Sequence, residues 1–155
     1  MIKPLLLLKS VYLAIKLHKN QKYGDKSYFF GHIVPVLRRV YKMYGLNYDL
    51  LVVAALHDVI EDCNVDMKWL ESHGIPHQLA FMVHILSKNK NTKYHDYLRL
   101  VASYKITYLV KYADMLCNYV SSVNSNDIRR IDKYHNGIDI LHQYHIEIFG
   151  NNKYK

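Results

Sequence analysis

Cysteine, proline and glycine are all scarce in this 155-residue chain, at two, three and six residues. Two cysteines cannot build a disulfide scaffold, and Cys63 and Cys117 do not form a Cys-x-x-Cys pair, which argues against a zinc finger. We expect free thiols in a reducing compartment. So few prolines and glycines also argue against an all-β protein, which needs a turn every few residues. No apolar run approaches the about 20 residues of a membrane span. The leucines at 5–8 make too short a run for the core of a secretion signal, and Lys9 and Lys16 interrupt the apolar pattern beyond them. Acidic groups are few: 13 Asp and Glu stand against 21 Lys and Arg, a formal charge of +8. No dense basic run accompanies that excess. It fits a solvated surface, or else a nucleic-acid footprint or, equally, a pocket that attracts phosphorylated small molecules. Half the residues are hydrophobic, enough for one cytosolic domain, residues 1–155, with a core of its own.

The apolar positions recur with helical spacing throughout. Residues 4–18 read as a helix with Leu5, Leu8, Tyr12 and Ile15 on the core face. Residues 20–31 lose the period and read as a loop. His32 opens a helix that keeps Pro35 in its first turn and stops at Gly45. Asn47 or Asp49 caps the next, 49–62. Further helices are expected over 66–73, 76–86, 94–103, 106–122 and 126–149, the last with Ile128, Ile131, Ile138 and Leu141 as its apolar stripe. The result is an all-α bundle of about eight helices, with no convincing strand.

The densest chemical signal is Leu56-His57-Asp58-Val59-Ile60-Glu61-Asp62. It comes directly after an apolar run and puts three carboxylates and a histidine within two turns. Carboxylates at the end of a helix oppose its dipole and repel one another, so something positive should offset them. A divalent cation is the simplest candidate, and mixed imidazole and carboxylate donors suit a transition metal. His32 and Asp114 can complete the set. Asp114 lies in an otherwise apolar helix and would be costly to bury unpaired. Lys111 three residues before it and Asn118 four after share its stripe. His32, His57, Asp58 and Asp114 would make four ligands and leave positions open for water and substrate.

The order of these residues resembles the HD-domain phosphohydrolases, and most closely the hydrolase domain of the RelA/SpoT family with its stand-alone small alarmone hydrolases. The family pattern A-x-x-x-H-x-G-Q aligns with Ala14 to Gln21, with Ala14, His18 and Gln21 in place and Asn20 at the glycine. P-Y-I-x-H-P aligns with Tyr28-Phe29-Phe30-Gly31-His32, where His32 matches and Tyr28-Phe29 depart from the family's Pro-Tyr. A-x-L-H-D-x-x-E-D is met by Ala54 to Asp62, and K-x-A-D-x-x-x-N by Lys111 to Asn118. The resemblance runs from residue 11 to about residue 145. Departures lie around the metal-ligand motifs: Tyr23 stands where the family often has a basic residue, and Ile33 replaces a proline.

The resemblance implies an HD-domain helical bundle holding one divalent transition metal, usually manganese. It implies removal of the 3′-pyrophosphate from guanosine tetra- or pentaphosphate, (p)ppGpp. His32, His57, Asp58 and Asp114 match its metal ligands. Glu61 and Asp62 match the pair that positions and deprotonates the attacking water. Asn118 matches a residue near ribose and phosphates, and His18 and Gln21 fall on the nucleotide side of the cleft. Lys22, Lys88 and Lys111 are the further substrate-binding residues we expect. The partner expected is a phosphorylated purine nucleotide, with neither membrane nor nucleic acid. Two rivals stay open on the sequence: an HD-type (deoxy)nucleotide 5′-nucleotidase or triphosphohydrolase, and a non-catalytic nucleotide- or nucleic-acid-binding module.

Overall fold

The computed structural model describes residues 2–150. Among them are nine α-helices: α1 (Lys3–Leu17), α2 (Val34–Tyr44), α3 (Tyr48–Leu56), α4 (Val59–Asp62), α5 (Met67–Ser72), α6 (His77–Leu86), α7 (Tyr94–Ala102), α8 (Lys105–Asn124) and α9 (Ile128–Phe149). A two-residue antiparallel hairpin, β1 (Lys22–Tyr23) with β2 (Lys26–Ser27), and a single π-helical turn, Phe29–Ile33, stand between α1 and α2. The fold is all-α, as the periodicity predicts.

Helix α3 is the axis. All of Leu50 to Leu56 are buried, and α1, α2, α6 and α8 pack around it. A helix apolar on every side has no face for water and must lie inside. Fully burying each Leu or Val contributes about 1.5–3 kcal/mol, so this run anchors everything attached to its end. Asn47 caps it, its side chain accepting from the Leu50 amide.

Four expectations need correction. The helix expected over 49–62 is two helices, because the helical hydrogen-bonding lapses at His57 and Asp58, although both keep right-handed helical-region dihedrals; this supplies the ninth helix. The segment 20–31 contains the hairpin and most of the π turn. Gly24, with φ of 60°, makes the tight reversal of the hairpin. Helix α1 turns the other way round: Leu6, Ser10, Leu13 and Ala14 face the core, whereas Leu8 and Tyr12 are 65% and 61% exposed. Four consecutive leucines fit either face. The decision falls on Ser10, whose hydroxyl donates to the Leu6 carbonyl at 2.8 Å and so tolerates burial. On α9, Ile128 is 64% exposed. That helix meets α8 and α7 through Gly137 and Leu141 instead, with Ile138 packed at the edge of the core.

Gly31 sits where the π turn crosses the hairpin. A Cβ there would lie 2.9 Å from Tyr23 Cβ and 3.0 Å from the Tyr23 carbonyl. Backbone stands on the other side of that contact, so relief requires moving the hairpin. Gly31→Ala is therefore expected to destabilise by about 1–3 kcal/mol, the range for overpacking, read from the urea midpoint. An unchanged midpoint would contradict the close approach.

Candidate metal centre and its pocket

His57 and Asp58 stand at the junction of α3 and α4, where the helical hydrogen-bonding lapses. His57 Nδ1 lies 2.8 Å from the Ala54 carbonyl, a bond that turns Nε2 outward to within 3.1 Å of Asp58 Oδ2. The π turn delivers His32 from the opposite wall. Its Nε2 lies 3.2 Å from His57 Nε2, from Asp58 Oδ2 and from Asp114 Oδ1. A π turn widens the backbone by one residue and often marks a functional position.

His32, His57 and Asp58 offer donor atoms that all lie within 4.8 Å of one another. Asp114 joins through both imidazoles, its Oδ1 being 3.7 Å from His57 Nε2. Metal–ligand bonds of about 2.0–2.2 Å put neighbouring donors about 3.0–3.4 Å apart, which is the spacing found. Two imidazole nitrogens facing each other at 3.2 Å, with carboxylate oxygens beside them, fit a cation between them.

The electrostatics agree. Burial disfavours charge on His57, but Asp58 and Asp114 outweigh it and hold the imidazole well above its usual range. His32 is raised in the same way against its own burial, by Asp114 and Asp58. Burial likewise acts against ionised Asp58, and the two histidines overcome it, holding the carboxyl well below the usual range. The cluster attracts positive charge at every member.

Further partners fix each carboxylate. Asp114 Oδ2 accepts from Lys111 Nζ at 2.8 Å and its Oδ1 from Asn118 Nδ2 at 2.6 Å. Asp58 Oδ2 accepts from Tyr28 Oη at 2.6 Å. Such outer bonds orient ligands and set their basicity.

A pocket of about 270 Å³ opens over these groups, lined among others by Glu61, Asp62, Lys88, Lys111, Asn118 and Arg130. Glu61 is exposed and accepts from the Lys88 amide at 2.9 Å, a bond that ties the end of α4 to the loop after α6. Burial and then the neighbouring Asp58 raise the Asp62 carboxyl above its usual range, the Tyr28 hydroxyl pulling the other way.

The structure brings His32, His57, Asp58, Asp114, Glu61, Asp62, Lys88, Lys111 and Asn118 to this pocket. His18 and Gln21 stand behind it. His18 is buried, stacks on Tyr28 at 4.7 Å and lies 2.7 Å from Gln21 Oε1. Gln21 Nε2 donates to the Asp62 carbonyl at 2.9 Å. Lys22 lies outside, in a neighbouring cleft. Cys63, a free thiol pushed up to about 11 by burial and Asp62, closes the back wall against His18.

Sequence reasoning placed Tyr23 and Tyr28 on the nucleotide side of the cleft, but gave no site role to Tyr94, Arg130 or Tyr134; all five line the pocket. Tyr23 stacks on His32 at 5.1 Å and donates to Asn118 Oδ1 at 2.8 Å. Arg130 reaches Tyr23 Oη at 3.3 Å. The available signal was Arg130 and Tyr134 four apart on one helix face.

No described protein family and no curated protein matches the chain by sequence. A solved structure does match. It is of a metazoan ortholog of SpoT that hydrolyzes ppGpp and plays a role in starvation responses, with a TM-score of 0.71, 20% identity and 93% of each chain covered. The chain has the HD-domain fold. His32, His57 and Asp58 form a group that could hold a divalent metal ion. Among the described residues, no helix is long and apolar enough to cross a membrane.

Lys111 gives a direct test of the charge balance. Lys111→Met removes the counter-charge from buried Asp114 while Asn118 and the imidazoles keep their bonds. We expect a loss of about 3 kcal/mol, the low end for breaking a buried pair, measured by urea unfolding of metal-free protein. A change under about 1 kcal/mol, the size of an exposed pair, would show that the pair contributes little.

Proposed function

We propose that the protein is a metal-dependent phosphohydrolase that removes the 3′-pyrophosphate of (p)ppGpp, giving GDP or GTP and pyrophosphate. The observation that carries this reading is the pairing of two carboxylates, Glu61 and Asp62, with the His32, His57, Asp58 and Asp114 donor set over one small pocket. The fold shared with a ppGpp-hydrolysing protein supports it.

In this reading His32, His57, Asp58 and Asp114 would hold one divalent transition metal, which mixed imidazole and carboxylate donors suit, with manganese the ion the family resemblance implies. When bound, the cation polarises the phosphate and acidifies water at the site. Asp62 accepts the proton of the attacking water, its carboxyl already raised by burial and Asp58. Glu61, fixed by the Lys88 amide, holds that water in line. Lys88 and Arg130, with Lys133 at the rim, neutralise the pyrophosphate as charge builds on it. Lys111 is engaged with Asp114 and acts through it. Tyr28 and Asn118 orient Asp58 and Asp114, while His18 and Gln21 hold Tyr28 and the Asp62 backbone in place. Tyr23 offers an aromatic face to a purine at the mouth, worth about 1–3 kcal/mol when a base stacks. A nucleotide substrate of this kind is cytoplasmic.

Chromatography of the phosphorus product, with manganese, tests the reading. From ppGpp we expect GDP and intact pyrophosphate. Orthophosphate from nucleoside monophosphates, or tripolyphosphate from deoxynucleoside triphosphates, without turnover of ppGpp, would overturn it.

The roles within the carboxylate pair are tested by Glu61→Gln and Asp62→Asn. Each is expected to lose about 10²-fold or more in kcat, the size of a general-base contribution, while metal content stays at the wild-type level. Metal lost together with activity would make that residue a ligand instead.

A further inference from the structure

Helix α1 leaves one face bare. It meets the bundle chiefly through α3, on the side of Leu6, Ser10, Leu13 and Ala14. On the other side Leu5, Leu8, Tyr12 and Ile15 are 50%, 65%, 61% and 45% exposed. Successive helical residues turn by about 100°, so these four share a sector of about 80°. Ile2, at the foot of the helix, is 70% exposed. Among the described residues, five of the fifteen exposed large hydrophobic side chains therefore lie between Ile2 and Ile15. Apolar residues scattered singly over a surface are ordinary, but a continuous stripe marks a contact.

The polar groups of α1 do not offset that stripe. Apart from the Tyr12 hydroxyl, its polar side chains are Lys3, Lys9, Ser10 and Lys16. Ser10 is buried and Lys3 is paired with Asp49. A helix apolar on both sides needs apolar surroundings on both sides, and the bundle supplies only one.

We propose that the outer face of α1 rests on an anionic phospholipid surface and makes this a peripheral membrane protein. The proposal goes beyond the reading of the metal pocket and does not depend on it. The expectation of no membrane partner followed from the lack of a spanning run. A helix lying flat in the lipid boundary needs no such run, and among the described residues no helix is long and apolar enough to cross.

Three observations select this occupant. The first is charge. From Ile2 to Gly24 the chain carries Lys3, Lys9, Lys16, Lys19 and Lys22 and no acid. Lys9 and Lys16, seven apart, border the apolar stripe along one side. Lysines in that position bury their stems at the lipid boundary and keep their ammonium groups among the headgroup phosphates. A second copy of the chain has no carboxylate on this helix to receive them. The second observation is shape. A single helix standing on the bundle forms a ridge with no groove beside the stripe to hold a partner's side chains, and a ridge can sink about 5–10 Å into the boundary between headgroups and acyl chains. The third is Tyr12, in the middle of the stripe. Its ring is apolar and its tip polar, the combination enriched where membrane meets water.

Co-sedimentation with vesicles tests the proposal. One set of vesicles mixes phosphatidylglycerol with phosphatidylcholine, and the other is phosphatidylcholine alone. Wild-type protein should bind the anionic vesicles about 10-fold or more the tighter, because each lysine near an anionic surface adds attraction, and added salt should weaken that binding. Two variants separate the forces. Leu8→Gln/Tyr12→Gln removes apolar area, and Lys9→Glu/Lys16→Glu reverses the charge; each is confirmed as folded by its melting temperature. Each should bind the anionic vesicles about 10-fold or more weakly than wild type. Where a double variant does not fold, Leu8→Gln or Lys16→Glu alone replaces it, with a loss of about 3-fold or more expected. No binding to anionic vesicles overturns the proposal, as does equal affinity for the neutral ones or binding that both folded variants retain. Sedimentation equilibrium without lipid covers the other occupant: a stable wild-type dimer that Leu8→Gln/Tyr12→Gln dissociates would assign the face to a second copy and overturn the membrane contact.

Discussion

The structure turns on the meeting of two carboxylates and two imidazoles in a nearly waterless corner. Asp58 and Asp114 approach the same pair of Nε2 atoms from different helices. Desolvated carboxylates are tolerated only when positive charge is at hand. Much of the surrounding architecture supplies or positions that charge. Lys111 neutralises the outer oxygen of Asp114, Asn118 and Tyr28 satisfy further lone pairs, and the space between the four donors fits a cation. The apolar α3 anchors this corner: its seven buried residues end at Leu56, directly before His57 and Asp58.

Much of this was legible in the sequence. The cap at Asn47, the stop at Gly45 and the concentration of chemistry at His57-Asp58 all follow from spacing and residue type. Three features were not. The break between α3 and α4 is invisible to periodicity, because both halves keep a helical pattern. The face of α1 was misread because Leu5, Leu8, Tyr12 and Ile15 form as good a stripe as the true one, and a buried serine with a local partner does not look like core. The contributions of Tyr23 and Arg130 depend on contacts across 95 and 107 residues of chain, which no local pattern records.

The hairpin and the π turn together explain why the departures around Tyr23 and Tyr28 do not disturb the donor set. Gly31 lets the hairpin lie against the turn that carries His32, and the two tyrosines then cover the imidazole on one side. Tyr23, His32 and Arg130 form a wall common to the pocket and the neighbouring cleft.

The central claim is that the four donors exist to hold a cation, and metal content measured on purified protein addresses it most directly. Wild-type protein dialysed against manganese should retain about one ion per chain and melt at a higher temperature than metal-free protein, since binding to the native state alone stabilises it. Asp58→Ala and Asp114→Ala should each lose most of that ion and the associated rise in melting temperature. Full metal occupancy in both variants, or wild-type protein that binds no ion and gains no stability, would contradict the account.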